Sequence, residues 1–211
     1  MVAIVSGLHL GVTLTEGLMN RAAQIQAGGQ STAALVAIFL CFCPSLAVGQ
    51  TRCGVERWPV KILMDIDSKD VAGEPVITTV AQLASVKRPT GTFPYNRRVS
   101  AVERATFVVK ARLDRVSAES DSDMHLVLRD LDVDSISIIA EIPDSACAVG
   151  SQHATAYAEA RRSIRGVKRG AIVEVVGVGF FDFLHGQSGG SQNGVELHPI
   201  LSIRIVDPVA R

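Results

Sequence analysis

Apolar positions in the second half of the chain alternate with polar ones in short runs, divided by acidic, serine-rich or glycine turns. This is the pattern of successive half-buried strands. Three such runs, 105–116 (ATFVVKARLDRV), 123–131 (DMHLVLRDL) and 135–143 (SISIIAEIP), come first. A proline-free stretch rich in alanine and arginine, 154–167, follows and ends at Gly166, which predicts a helix. Two further strands are expected at 171–183 and 195–205. Three strands, a helix and two strands within about a hundred residues is the order of an OB-fold, a five-stranded Greek-key barrel with its helix between strands three and four.

The alternation sorts the faces. Met124, Leu126 and Leu128, then Ile136, Ile138, Ala140 and Ile142, then Leu197, Leu201, Ile203 and Ile205 are expected inside the barrel. On the fourth strand Gly177 and Gly179 share a face with Phe181 and Phe183, which suits close backbone approach. The opposite face, with Ile172, Val176, Val178 and Phe180, is too apolar for water and calls for a cover.

That cover is the preceding segment, 50–104, a short α/β arm ahead of the 105–211 barrel. RWPVKILMDID (57–67) reads as strand-like, and Thr79 with Gln82 forms a capping box that starts a helix running to about Lys87. Pro89, Gly91 and Pro94 stop it.

Residues 1–49 read as a leader rather than as fold. Ala33 to Val48 is apolar almost throughout and is broken by Pro44, with Ala47 and Gly49 at its end spaced as at a signal-peptidase site. The run is too short for a membrane span. Arg21 just after Met19 makes Met19 the expected true start, and Phe42 before Cys43 argues against lipidation. The mature chain is therefore expected outside the cytoplasm, periplasmic or extracellular, without a transmembrane span. Cleavage near Gly49 leaves Cys53 and Cys147, either as one disulfide or as two free thiols; an exported chain favours the bridge.

Composition narrows the classes further. The 211 residues are 47% hydrophobic and 20% charged, with 21 basic against 21 acidic side chains, which supports a packed core and excludes a disordered tail. Zero net charge supplies no global field to attract a polyanion. The outer faces of strands two and three carry His125, Val127, Arg129, Ile139 and Glu141 and no aromatic platform, so nucleic acid is not expected as a partner. Arg161, Arg162, Arg165, Lys168 and Arg169 on the helix and its exit read first as a solvated face, and second as a contact for anionic polymer or headgroups. Asp65, Asp67 and Asp70 lack the glycine and glutamate of a calcium loop and read as a solvated turn.

Two polar clusters carry candidate chemistry. Pairing Met124 with Ile142 and Leu128 with Ile138 sets His125 opposite Glu141, either a ligand site or a surface pair. At the hairpin between strands four and five, Asp182 and His185 lie at the start of HGQSGGSQNG and Glu196 and His198 follow it; together they could ligate a divalent transition metal such as zinc, iron or manganese. Otherwise His198 caps a strand edge and His185 is a loop residue. With strands three and five parallel, the two clusters are expected at opposite ends of the barrel. The loop has four glycines in ten residues beside Gln187 and Asn193, a composition of sugar or anion sites and equally of plain flexible connections. Nucleophile elbow, phosphate-binding loop, zinc-protease and dinucleotide motifs are absent.

The strings HLVLRD, IIAEIPDSAC, GVGFFDFLHGQSGG and NGVELHPILSI resemble those of a group of exported bacterial proteins of uncharacterised function, over roughly residues 53–205. The resemblance implies that leader, arm and barrel belong together and that the hairpin loop is a family feature. Ser122 stands where that group has glycine in an acidic turn, and GGSQNG departs from its loop. The expected function is an exported OB-like binding or interaction domain, non-catalytic, whose ligand is a glycan, an anionic polymer or an envelope protein. A metal-dependent hydrolase at the hairpin cluster is the alternative, and a structural cell-envelope protein the third.

Overall fold

The computed structural model describes residues 52–184 and 186–207. The leader, its alternative start at Met19, and His185 lie outside them.

Among the described residues six strands form: β1 (Val76–Thr78), β2 (Thr106–Ala118), β3 (Met124–Arg129), β4 (Ser137–Ile142), β5 (Ile172–Phe181) and β6 (Val195–Asp207). The helices are α1 (Trp58–Lys61), α2 (Val80–Ser85) and α3 (Ala154–Ile164). The neighbour order β2–β3–β4–β6–β5 returns to β2, closing a five-stranded barrel with α3 between its third and fourth strands. This is the OB-fold expected from the order of elements. Closure depends on β2 serving two neighbours. Thr106 to Arg112 pairs with β5 and Arg112 to Ala118 with β3. A register break between Leu113 and Arg115 bends the strand there. Asp114, left unpaired by that break, accepts from Arg129 Nη2 at 3.0 Å and Arg169 Nε at 2.7 Å.

Leu126, Leu128, Ile138, Ala140, Ile142, Val173, Val175 and Phe181 fill the interior, with Tyr157, Ala160 and Ile164 of α3 packed against them. On β6 the strict alternation fails. Register shifts against β5 around Gly177 and Gly179 make Leu197, Ile200 and Ile203 the inward residues. Leu201 falls at the rim and Ile205 is 38% exposed, contrary to expectation. Gly179 is required by contact: a Cβ there would overlap the Val102 carbonyl, where a short 3-10 turn (Val102–Arg104) crosses β5.

The segment before the barrel differs from its sequence reading in three ways. No strand forms over 57–67; Pro59, whose fixed φ suits a first helical turn, starts α1 instead. Asp65 and Asp67 are buried rather than solvated: Arg98 Nη2 sits 2.8 Å from Asp65 Oδ2, and Arg98 N donates to Asp67 Oδ2 at 2.9 Å. β1, too short for any periodicity, adds a parallel edge strand to β2. The Thr79–Gln82 capping box forms as expected, although α2 ends at Ser85.

Two bonds hold this segment down. Cys53 and Cys147, 94 residues apart, form a disulfide that ties it to the turn before α3. Arg57, buried and at φ 50°, grips Glu103 with two bonds of 2.7 and 2.9 Å and reaches the Phe181 carbonyl at 3.1 Å. Its guanidinium and the Lys61 ammonium lie 4.8 and 5.5 Å from the centre of the Phe180 ring, so the Phe180 end of the apolar outer face of β5 is covered, while Ile172 and Val176 stay half-buried. Among the described residues no helix is long and apolar enough to cross a membrane.

Candidate functional site

β3 and β4 pair in the register inferred from sequence, Met124 with Ile142, His125 with Glu141 and Leu128 with Ile138. His125 Nδ1 lies 3.0 Å from Glu141 Oε1. This is no surface pair. Both residues are buried, and Lys61 of α1 brings its ammonium to 3.9 Å from Glu141 Oε2.

The two clusters expected at opposite ends of the barrel are one. β4 has six residues and β6 thirteen, and they pair only through Ile139 with Glu196 and Ala140 with Leu197. The end of the short strand therefore meets the beginning of the long one. Glu141 comes level with His198, whose Nδ1 is 2.9 Å from Glu141 Oε2. On its other side His198 Nε2 is 3.5 Å from Asp123 Oδ2, in the turn that opens β3. Glu196 and Asp182 are buried alongside.

Four carboxylates thus surround two imidazoles and one ammonium, and their charges shift one another. Burial pushes Glu141 up, but His125, His198 and Lys61 outweigh it and hold the carboxyl well below the usual range. Glu196 is raised well above that range by burial, then by Glu141 and Asp182. Burial lowers His198 while Asp123 and Glu141 raise it, with a net upward shift. Lys61 likewise moves up, because the surrounding carboxylates exceed the cost of burial.

Of the metal set drawn from sequence, Asp182, Glu196 and His198 come together here, while His185 lies outside the described residues. Asp123 and Lys61 were missed. Asp123 carried a signal, since Asp123-x-His125 repeats the spacing of Glu196-x-His198 and so presents both side chains of each pair on one strand face. Lys61 carried none, because its place depends on how α1 docks.

The β5–β6 connection is not a bare hairpin. It folds back over the outer face of β3 and β4, where a Cβ on Gly189 would overlap Val127 and Gly190 lies against Ile139. Arg115 Nη2 donates to the Ser188 carbonyl at 2.6 Å. Asn193 is spent on structure: its Nδ2 donates to Leu83 O at 3.0 Å and Val86 O at 2.9 Å, and its Oδ1 accepts from Ser191 and Val195. Gln187 is exposed and lines a groove of about 270 Å³ with Phe183, Leu184 and Gln192, at whose inner end lies Glu196. The basic run on α3 is divided: Arg161 donates to the carbonyls of Ser122 and Ile142, and Arg169 pairs with Asp114.

No protein-family model matches the chain, and no curated protein matches its sequence. Solved structures similar in fold include an aspartyl-tRNA synthetase from Leishmania major Friedlin (TM-score 0.41, 16% identity, 67% of this chain and 22% of that one). Others are an aspartyl-tRNA synthetase from Entamoeba histolytica (0.39, 14%, 65% and 22%) and its asparaginyl-tRNA synthetase (0.39, 7%, 66% and 25%). The chain spans about a quarter or less of their lengths. The expectation against nucleic acid is corrected. The face on which that expectation rested is not an exposed one: His125, Val127, Ile139 and Glu141 are buried beneath α1 and the β5–β6 loop. Likeness of this degree concerns the barrel and not what this chain binds.

Proposed function

We propose that the chain is an exported OB-barrel binding domain that takes its ligand in the groove beside the β5–β6 connection. The observation that carries this reading is the groove itself. Leu184 (61% exposed) and Phe183 offer apolar surface, Gln187 and Gln192 offer amides, and the buried Glu196 joins the lining. Apolar walls with a few convergent polar groups are the usual makeup of small ligand sites, and connections of this kind are where OB barrels bind saccharides and oligonucleotides. Export is supported by the Cys53–Cys147 disulfide, a bond of oxidising compartments, together with the leader-like first 49 residues. The volume suits a single sugar ring or a comparable polar group.

The test is amide chemical-shift mapping of the full chain with chitotetraose, heparin and a short oligothymidine as separate probes. One probe is expected to shift the resonances of residues 183–192 saturably, with affinity falling at least about tenfold in a Leu184→Ala/Gln187→Ala double variant. No saturation by any of the three, or binding that the double variant leaves unchanged, overturns the reading. A metal-dependent hydrolase is the second reading. It is favoured by Glu196, which belongs both to the groove and to the buried cluster.

A further inference from the structure

Asp123, Glu141 and His198 come from three separate places in the chain, yet one ligand atom of each lies within 4.8 Å of the others, and all three residues are buried. Four oxygen- and nitrogen-bearing groups here are poorly served by the protein. Among the described residues, Asp123 Oδ2, His125 Nε2, Glu196 Oε2 and both ring nitrogens of His198 have no hydrogen-bond partner. The 2.9 Å approach of His198 Nδ1 to Glu141 is close but not aligned for a hydrogen bond. Each buried polar atom left unmatched has given up water without gaining a partner, which opposes folding. Several gathered at one point call for a ligand rather than a packing explanation. The charge balance has the same sense. Asp123, Glu141, Asp182 and Glu196 converge on one ammonium, an excess of carboxylate that a dication neutralises.

We infer that Asp123, Glu141 and His198 hold a divalent transition-metal ion, zinc or manganese in class, on the outer face of the barrel beneath α1. The donor set is one that these metals accept, and bonds of ~2.0–2.2 Å set ligand atoms roughly 3–4 Å apart, a spacing that small side-chain rotations reach from the one observed. His125 supplies the supporting contact: its Nδ1 lies 3.0 Å from Glu141 Oε1, which leaves Oε2 turned toward His198. The site does not depend on the groove reading, and either stands if the other fails.

The test uses the full chain, secreted into an oxidising compartment, stripped with chelator and titrated separately with Zn²⁺ and Mn²⁺. Bound metal is read by elemental mass spectrometry and calorimetry. One equivalent per chain is expected, with affinity reduced at least about tenfold in Asp123→Asn and in Glu141→Gln and unchanged in Glu174→Gln, a half-buried carboxylate on β5 that pairs with Arg204. Near-UV circular dichroism shows whether each variant is folded. For the wild type alone, Zn²⁺ is expected to shift the His198 ring nitrogen resonances, so a variant that fails to fold does not leave the matter open. A folded wild type that takes up no metal overturns the inference and makes the cluster a self-neutralising ion network. Uptake that survives both carboxylate variants but is lost in His185→Ala overturns it too, by moving the metal to the loop.

Discussion

Arg57 is the side chain on which the docking of the N-terminal segment turns. Its five N–H groups reach both oxygens of Glu103 and the carbonyls of Pro94, Arg97 and Phe181. Glu103 in turn accepts from Val99 N at 2.7 Å and Phe181 N at 3.0 Å. A fully matched pair of this kind can be nearly neutral in net energy, whereas a lone buried guanidinium is costly. Glu103→Ala is therefore expected to lower stability by about 3–5 kcal/mol, read as a reduced urea midpoint with an unchanged slope. A loss below about 1 kcal/mol would mean that the arginine finds water on the surface. Because Phe181 is the last residue of β5, the same variant loosens the strand end from which Asp182 enters the buried cluster.

At the scale of elements, α2 is joined to the barrel through Asp130. This buried carboxylate accepts Ala81 N at 2.8 Å and, from its own turn, the amides of Asp132 and Val133. Burial pushes its carboxyl up, but the three amides outweigh that and hold it below the ordinary value. A depressed carboxyl stabilises the fold above its unfolded value, near 3.9, and the contribution disappears as pH falls through the folded one. Asp130→Asn is expected to cost about 1–2 kcal/mol at neutral pH and to flatten the fall in stability below about pH 4. Urea midpoints across that range check it, and an undiminished acid fall in the variant would contradict it.

Elements of this kind also mark how far the sequence could be read. The barrel strands, α3 and the Thr79–Gln82 cap announce themselves through local periodicity and spacing, and so does the His125–Glu141 pair, because an antiparallel register follows from matching two alternating runs. Nothing local encodes the parallel register of the short β4 on the long β6, and that register merges two clusters into one. The shifts in β6 that bring Ile200 inward come from its pairing with β5, so alternation selected Leu201 instead. α1 was hidden because Val60, Ile62 and Leu63 suit a buried strand as well as a buried helical turn, and with α1 went Lys61.

For the whole molecule, the disulfide makes one cooperative body of parts that meet late in the chain. Closing a loop of 94 residues constrains the unfolded chain by roughly 4–5 kcal/mol in the loop-entropy model. Cys147→Ser, or reduction of the wild type, is expected to lower stability by about 2–5 kcal/mol, measured as the urea midpoint with and without reductant. Equal midpoints would show that Arg57 and Glu103 suffice without it. Most stabilising contacts of the N-terminal segment, Arg57 with Phe181 among them, span large sequence separations, so the fold has a high contact order and assembles slowly for its size.

The β5–β6 loop gives this barrel a tenant of its own. Because Gly189 and Gly190 lie on Val127 and Ile139, any molecule seeking that stretch of sheet meets the protein's own backbone first. Its apparent affinity is the intrinsic one scaled by the fraction of chains in which the loop has lifted away, and shortening the loop would strengthen such a ligand without adding a single contact to it.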